Sequence, residues 1–581
     1  MKTFSDLKKN LKLDPSNLKP LRLALLGDSS TQFLNIALRG EAVDSGFNLK
    51  VWEADFDQIE LQAFDPNSEL YQHQPEIVVL FFASHKLLNN YNKKNPEHQA
   101  FFAESHLAKL KEVVSVIQEN ANAKIICYNQ PEIDDTVFGN YSNSVPSSFL
   151  YQLRKINLEL MNFAENTGNF YVCDLSSVQN RVGRNTMFQP SIYINTEMVL
   201  SIEVLPEIAA RTMSLVAALN GKLKKCLILD LDNTMWGGII GDDGIENIQV
   251  GSLGIGKAFT ELQHWAKKLK NRGVIICVCS KNTEHIAKEP FEKHPDMVLR
   301  LDDIAVFVAN WENKADNIRH IQQVLNIGFD SMVFLDDNPF ERNLVRENIP
   351  GITVPELPED PAEYLEYLYC LNLFETVSHS GNDSERTKQY QVEAQRMAVQ
   401  KSFVNEDDFL QSLQMTSAVQ DFSKFNTPRV SQLSQRSNQF NLRTVRYTEG
   451  DIEAIGKSDS HKTFSFSLED KFGDNGLICA IILKKENDTA LFIDTWFMSC
   501  RVLKRGMENF VLNTLAAYAK SQGLTTLIGE YIPTVKNEIV KDHYQSLGFS
   551  EMDGKWSLDI ETYQPKKTFI QRKEDTEGIK H

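Results

Sequence analysis

Residues 226–234 read Cys-Leu-Ile-Leu-Asp-Leu-Asp-Asn-Thr, an apolar run that ends in two carboxylates. A short apolar run bounded by polar residues predicts a buried strand. Similar runs follow at Val274–Cys279, Met297–Leu301 and Met332–Asp336, with helical stretches at about 256–271 and 314–326. Strands alternating with helices predict a parallel sheet. In open sheets of that kind, ligands bind beyond the carboxyl ends of the strands. Four polar features occur in order near strand ends or helix starts. They are Asp230-Leu-Asp232-Asn-Thr234, Ser280-Lys-Asn282, Lys314 and Asp336-Asp337, and all four can converge on one crevice.

The set suits phosphoryl transfer. A carboxylate can attack phosphorus and become an aspartyl-phosphate, and Asp230, at the end of its strand, is the natural nucleophile. Asp232 can protonate the leaving group and then activate water. Mg²⁺ prefers oxygen ligands and few protein carboxylates. Asp230 with Asp336 or Asp337 would hold it, helped by the main-chain carbonyl of Asp232. The Ser280 hydroxyl and the Lys314 ammonium would bind phosphoryl oxygens and steady the transition state. A lone D-x-D is as often a helix cap; the three later features in register argue against that here. Phosphorelay receivers place their acidic pair before the phosphorylated Asp, the reverse of this order. About 50 residues separate Asp230 from Ser280 and about 34 separate Ser280 from Lys314, so neither gap holds a cap domain. An open site can accept a group borne on a bulky partner; equally, another part of the chain can supply a lid.

Length and charge narrow the class. The 581 residues allow three to four domains. A net charge of −17 runs against the basic footprint of nucleic-acid binders. None of the eight cysteines, Cys127, Cys173, Cys226, Cys277, Cys279, Cys370, Cys479 and Cys500, forms a C-x-x-C pair. Most lie in apolar runs, which points to a reducing compartment. The N-terminal MKTFSDLKKNLKLD lacks an apolar signal core, and no run approaches the roughly 18 apolar residues of a membrane span. A cytoplasmic protein without membrane or nucleic-acid partners is expected.

Further strand-like runs at 21–27, 49–52, 76–82 and 124–128 predict a first α/β unit. The stretch EVLPEIAARTMSLVAALNG reads as a helix that stops at Gly221. Residues 383–403 read as a polar helix bridging two units. Runs at 462–468, 476–483 and 490–498 predict antiparallel strands, followed by a helix at about 505–522 and a strand at 525–531.

Residues 226–340 resemble the haloacid-dehalogenase (HAD) superfamily. More narrowly, DLDNTMWGGIIGDDG, CVCSKN, NWENKADNI and FLDDNPFER resemble the FkbH-like family, subfamily IIIC, with Met235 where Leu is usual. Trp236-Gly237-Gly238 would begin a flap beside the site, with both glycines permitting unusual dihedrals or close backbone approach. The likeness continues through RVSQLSQRSNQFNLRTVRY, DKFGDNGL, FMSCRVLKRGME and EYIPTVKN, which resemble the family's C-terminal region and, through it, GNAT acyltransferases. That fold binds a pantetheine-pyrophosphate arm at a helix start, a place taken here by Arg501 and Gly506, with Glu508 where a small residue is usual. Cys500 precedes Arg501, whose guanidinium could lower the thiol pKa. The sharp reading has Cys500 carry an acyl thioester with His543 as a conceivable base; the bland reading is a structural cysteine. Arg429, Arg436, Arg443, Arg446, Arg501, Lys504 and Arg505 would offer a basic patch to an acidic carrier. Gly27-Asp28-Ser29 resembles the first block of SGNH hydrolases, with Asn129 as the oxyanion-hole candidate. No histidine occurs between His106 and His264, where the base belongs, so a docking or structural role is expected there.

The resemblance implies a multidomain α/β protein: an SGNH-like unit at 1–220, a capless HAD Rossmann-like unit at 221–375, a helical linker at 376–420 and a GNAT-like α+β unit at 421–581. It further implies an enzyme that takes a phosphoglyceryl unit from 1,3-bisphosphoglycerate, removes phosphate and loads glyceryl onto the phosphopantetheine arm of an acyl carrier protein. The alternative is a capless phosphatase acting on another small phosphorylated acid or carrier-bound group, without acyl transfer.

Overall fold

The computed structural model describes residues 2–379, 386–400, 403–534 and 536–573. The chain divides into two compact units, Met1–Leu219 and Asn220–His581. The first is built on a five-stranded sheet of β1 (Lys19–Gly27), β2 (Phe47–Glu53), β3 (Ile77–Phe81), β4 (Lys124–Tyr128) and β5 (Phe170–Cys173). Its order is β2-β1-β3-β4-β5 and every pairing is parallel. β3 is buried at all five positions, the mark of a strand covered on both faces. The helix predicted to stop at Gly221 spans Leu205–Leu219, and Gly221 itself sits at φ +75°.

The second unit holds two sheets. The first comprises β6 (Cys226–Leu229), β7 (Ile275–Ser280), β8 (Ile304–Ala309) and β9 (Met332–Leu335), parallel in the order β8-β7-β6-β9. Its two faces bury separate apolar clusters, one around Leu227, Phe259 and Leu335, the other around Ile228, Ile318 and Phe334. The third strand departs from the expectation. Residues 297–301 are not a strand, although Met297 and Leu299 are buried. Gln263, fully buried on the helix Gly256–Asn271, accepts from the amides of Val298 and Leu299 at 2.9 and 3.2 Å. A side chain thus satisfies backbone groups that a strand neighbour would otherwise take, and pairing begins only at Ile304.

The other sheet is mixed. It is formed by β10 (Thr416–Ser417), β11 (Val419–Gln420), β12 (His461–Asp470), β13 (Gly473–Lys485), β14 (Ala490–Met498), β15 (Thr526–Gly529), β16 (Ser550–Met552), β17 (Lys555–Asp559) and β18 (Gln571–Arg572). The order is β16-β17-β15-β14-β13-β12-β10-β18, with β11 on β12. β14 and β15 run parallel but pair only over Ala490–Phe492 and Thr526–Ile528. Beyond that point the segment 440–442 lies between them. Leu442 N donates to Trp496 O, Met498 N to Phe440 O and Ile532 N to Leu442 O.

The polar helix expected at 383–403 is seen over Arg386–Gln400; residues 383–385, 401 and 402 lie outside the described residues. It connects the two sheets by contact as well as by chain. Gln391 donates to Ile304 O at 2.8 Å on one side, and Arg396 meets Asp470 at 2.8 Å on the other.

Gln263 also donates to Met235 O at 2.8 Å, tying the segment after β6 to the one before β8. Replacing Gln263 by Leu keeps the volume but strands these backbone groups. Stability should fall by about 2–3 kcal/mol, read as a lower denaturant midpoint with an unchanged slope.

Candidate active site

β6 and β9 are neighbours in parallel register, so their carboxyl ends deliver Asp230 and Asp336-Asp337 to one edge. Carboxylate oxygens of Asp230, Asp336 and Asp337 lie within 4.8 Å of one another. Lys314, the first residue of the helix Lys314–Leu325, points its ammonium between two of them, at 2.6 Å from Asp336 Oδ2 and 2.9 Å from Asp230 Oδ2. Burial opposes its charge, yet Asp230 and Asp336 together hold its pKa above the ordinary lysine value. Burial pushes Asp336 up, and the neighbouring Asp230 adds to the rise. The same two causes carry Asp337 to about 6. Three carboxylates thus face one ammonium, and Asp230 Oδ1 is buried without a hydrogen-bond partner. Hard oxygen donors in that number, with negative charge in excess, fit Mg²⁺.

Asp232 is held apart from this trio by its side-chain partners. Its Oδ1 accepts from Trp236 Nε1 and Ile240 N, both at 3.0 Å, and its Oδ2 from Asn282 Nδ2 at 2.9 Å. Three donors therefore fix one rotamer of the expected acid–base group. Asn282 also donates to Ser280 Oγ at 3.2 Å, so the first and second sequence features are wired together. The flap follows directly. Gly238 adopts φ +95°, and a Cβ on Gly237 would meet Gln249 Oε1 at 2.8 Å, so each glycine answers a separate steric demand. On the β9 side, Arg342 donates to the carbonyls of Asp336 and Asp337 at 2.9 and 2.6 Å, and Thr234 Oγ1 accepts from Asp337 N at 3.1 Å. The connections β6–β7 and β7–β8 contain only the flap and the helices Ile240–Asp243, Gly256–Asn271, Glu284–Lys293 and Leu301–Asp303. Around the mouth, Ile239, Trp311 and Phe340 are exposed.

The family described as FkbH, N-terminal domain, matches residues 22–217. A solved structure, the N-terminal part of the protein BF1531 from Bacteroides fragilis, contains a phosphatase domain complexed with Mg. It is 57% identical, covers 65% of this chain and 99% of its own, and superposes with a TM-score of 0.62. The chain belongs to the FkbH-like family. The ribosomal-protein-S18-alanine N-acetyltransferase from Escherichia coli matches at 17% identity over 25% of this chain and 94% of its own, with a TM-score of 0.20. A spermidine N-acetyltransferase from Vibrio cholerae, in complex with CoA and spermine, matches at 12% identity over 26% and 96%, with a TM-score of 0.21. No curated protein matches. No described helix is long and apolar enough to cross a membrane.

In this FkbH-like chain the C-terminal expectations fare unevenly. Cys500 is half-buried, and its carbonyl accepts from Asn326 Nδ2 at 2.9 Å. Burial raises the thiol pKa; Lys225 opposes that more strongly than Arg501 does. His543 does not pair with it among the described residues. Its ring packs on Trp496 and Phe440 at centroid distances of 4.5 and 4.9 Å, and burial drives its pKa to about 3. Arg501 and Gly506 do not make one phosphate cradle. The Arg501 guanidinium is taken up by Gln389, Ser499 Oγ and Asn475 O. The helix Met507–Ser521 that Gly506 caps carries half-buried Glu508 in its first turn, and the segment 566–568 runs along that end. The basic patch is largely internal as well. Arg443 pairs with Asp494 and Glu530, each at 2.7 Å, and Arg505 with Glu393 and Asp470. These carboxylates are distant in sequence, so composition alone made the arginines look free.

In the first unit Ser29 is buried, and its Oγ has no partner. Burial pushes the adjacent Asp28 up to about 7. Asn129 is spent on structure: it donates to Asp174 Oδ1 at 2.7 Å and accepts from Ser176 N at 3.1 Å. No histidine hydrogen bonds to Ser29 among the described residues.

Asn282 and Arg342 are site residues to which the sequence assigned no role, and Trp236, expected only to begin the flap, also holds Asp232. Asn282→Ala should lower kcat about 10- to 100-fold with little change in KM, because it loosens Asp232 and Ser280 without touching the carboxylate trio. Steady-state kinetics on an aryl phosphate would check this, together with an unaltered Mg²⁺ affinity.

Proposed function

We propose that this FkbH-like chain is a Mg²⁺-dependent phosphatase of the HAD type that dephosphorylates a phosphoglyceryl unit and loads glyceryl onto an acyl carrier protein, with 1,3-bisphosphoglycerate as donor. The observation that carries the first half is the carboxylate trio of buried Asp230 and Asp336 with half-buried Asp337, where Lys314 pairs with the first two. Asp230 attacks phosphorus, the ester P–O bond breaks, and Asp232 gives its proton to the departing oxygen. Asp232 then takes a proton from water, whose oxygen attacks phosphorus and frees Asp230. Ser280 and Lys314 bind phosphoryl oxygens throughout. Mg²⁺, held by Asp230, Asp336 and the carbonyl of Asp232 with Asp337 beside it, would neutralise charge on those oxygens.

The second half assigns Cys500 a glyceryl thioester. Its support is the half-buried thiol beside Lys225, and the exposed Trp311 and Phe340 at a mouth without a cap, open to a group on a carrier's arm. The flanking parts are read as SGNH-like, on the five-stranded parallel sheet, and GNAT-like, on the parallel β14–β15 pair within a mixed sheet. A cytoplasmic setting accords with the eight free cysteines. A second reading is a phosphatase without acyl transfer, acting on another small phosphorylated acid or carrier-bound group. The raised Cys500 thiol pKa favours it.

One incubation separates the two. With Mg²⁺, 1,3-bisphosphoglycerate and a phosphopantetheinylated carrier, glyceryl loading predicts a mass gain on the carrier; phosphate release alone supports the second reading. Under both, EDTA stops phosphate release and Asp230→Asn lowers it at least about 10³-fold. Phosphate release that survives both would contradict both.

A further inference from the structure

Lys281 is a cation of the catalytic edge that the phosphoryl chemistry leaves without a task. It directly follows β7, one residue past Ser280. Its ammonium lies 2.6 Å from Glu341 Oε1. Glu341 stands on the helix Pro339–Asn348, which follows β9 and the carboxylates Asp336 and Asp337. β7 and β9 flank β6, so this ion pair reaches across two strand spacings, roughly 9–10 Å, over the strand end that carries Asp230. It does so on one face. Cys279, two residues before Lys281, donates from Sγ to Lys314 O and packs with Ile318 and Val345, and Glu341 is among the charges acting on its thiol. Side chains two apart on a strand share a face, so Lys281 continues the side of the sheet on which Lys314 stands.

The cations at this edge differ in what they have left to give. Lys314 is clamped between Asp230 and Asp336. Arg342 is spent on the carbonyls of Asp336 and Asp337 and on Glu356. An ammonium has three N–H donors, and among the described residues Lys281 uses them on Glu341 alone. The Lys281 side chain is 36% exposed and that of Glu341 8%, so the cation meets solvent and the carboxylate is the buried partner. The second oxygen of Glu341, Oε2, is buried without a donor among the described residues. Removing the partner of a buried charge is costly, so Glu341 holds the ammonium in place and does not give it up to a ligand. What results is a fixed, partly solvated cation one residue beyond the hydroxyl that binds the transferring phosphoryl group.

We propose that Lys281 is a specificity-determining residue that binds a carboxylate of the substrate while Ser280 and Lys314 hold the phosphoryl group. Glu341 is its positioning residue. The substrate class is then a short phosphate monoester that bears a carboxylate on the same carbon chain. This rests on the phosphatase reading and narrows the small phosphorylated acids it allows. A charge-assisted hydrogen bond from a preset ammonium favours such a substrate over one with a neutral group in that place, where the same donors would stay on water. A pair that merely braced β7 against the helix Pro339–Asn348 would serve both kinds of substrate alike.

The test uses the full chain with Mg²⁺ and two probes, 3-phosphoglycerate and the glycerol phosphate of matching configuration, which differ only in a carboxylate against a hydroxymethyl group. The quantity read is the ratio of their kcat/KM values. The native chain should favour 3-phosphoglycerate about 10-fold or more. Lys281→Met should bring the ratio close to one, chiefly through KM, and Lys281→Arg should keep most of it. Because Lys281→Met strands Glu341, the ratio is read as well in the double variant Lys281→Met, Glu341→Gln, which removes both charges, and the same loss is expected. A native chain that releases phosphate from both esters without preference would overturn this inference and leave the phosphatase reading standing. So would a preference that persists in the double variant, including one that persists while both rates fall together. Release from neither ester by the native chain would count against the phosphatase reading and overturn this inference with it.

Discussion

Negative charge concentrated at one sheet edge is the constraint around which the second unit is organised. Asp230, Asp336 and Asp337 are brought together because β6 and β9 are adjacent and parallel, and one ammonium cannot neutralise three carboxylates. Burial first, and the neighbouring Asp230 second, raise the Asp336 and Asp337 pKa values. Much of the local architecture serves to hold the arrangement. Arg342 and Thr234 fasten the backbone on which two of the carboxylates stand, and Trp236, Ile240 and Asn282 hold Asp232 aside. A site with such a charge excess is preorganised for a divalent cation and a phosphoryl group together.

The opposite edge of the same sheet places Lys225 beside Cys500, with Arg386, Arg436 and Arg446 near enough to oppose the lysine's charge. Ion pairs also tie the second unit together. The Arg396, Arg505, Glu393 and Asp470 network locks the helix Arg386–Gln400 to β12 and withdraws arginines that would otherwise face solvent. Buried networks of this kind set geometry more than stability. Here the geometry they set is the seating of the helix Arg386–Gln400 against the mixed sheet.

The acidic motif and the alternation of strands and helices were legible because both are local: the side chains that matter lie within a few residues of a strand end. Strand β8 was misplaced by several residues because Gln263, some 35 positions earlier, occupies the backbone groups of Val298 and Leu299. Apolar pattern alone cannot register such a side-chain substitute. The role of Asn282 was hidden for a related reason, since its partner Asp232 lies 50 residues away. Around Cys500 the adjacent arginine drew notice, yet the ammonium that most opposes the rise in its pKa comes from Lys225, brought there only by tertiary packing. The Arg501–Gly506 turn looked like a phosphate cradle because its partners Gln389, Asn475 and the segment 566–568 are remote in sequence.

The central claim is that Asp230 takes the phosphoryl group covalently. Quenching turnover in acid, reducing with borohydride and mapping peptides tests it directly, because reduction converts an aspartyl-phosphate to homoserine. The account predicts homoserine at position 230 in the presence of substrate and Mg²⁺. Homoserine at another carboxylate, or none at any residue while phosphate is released at full rate, would contradict it.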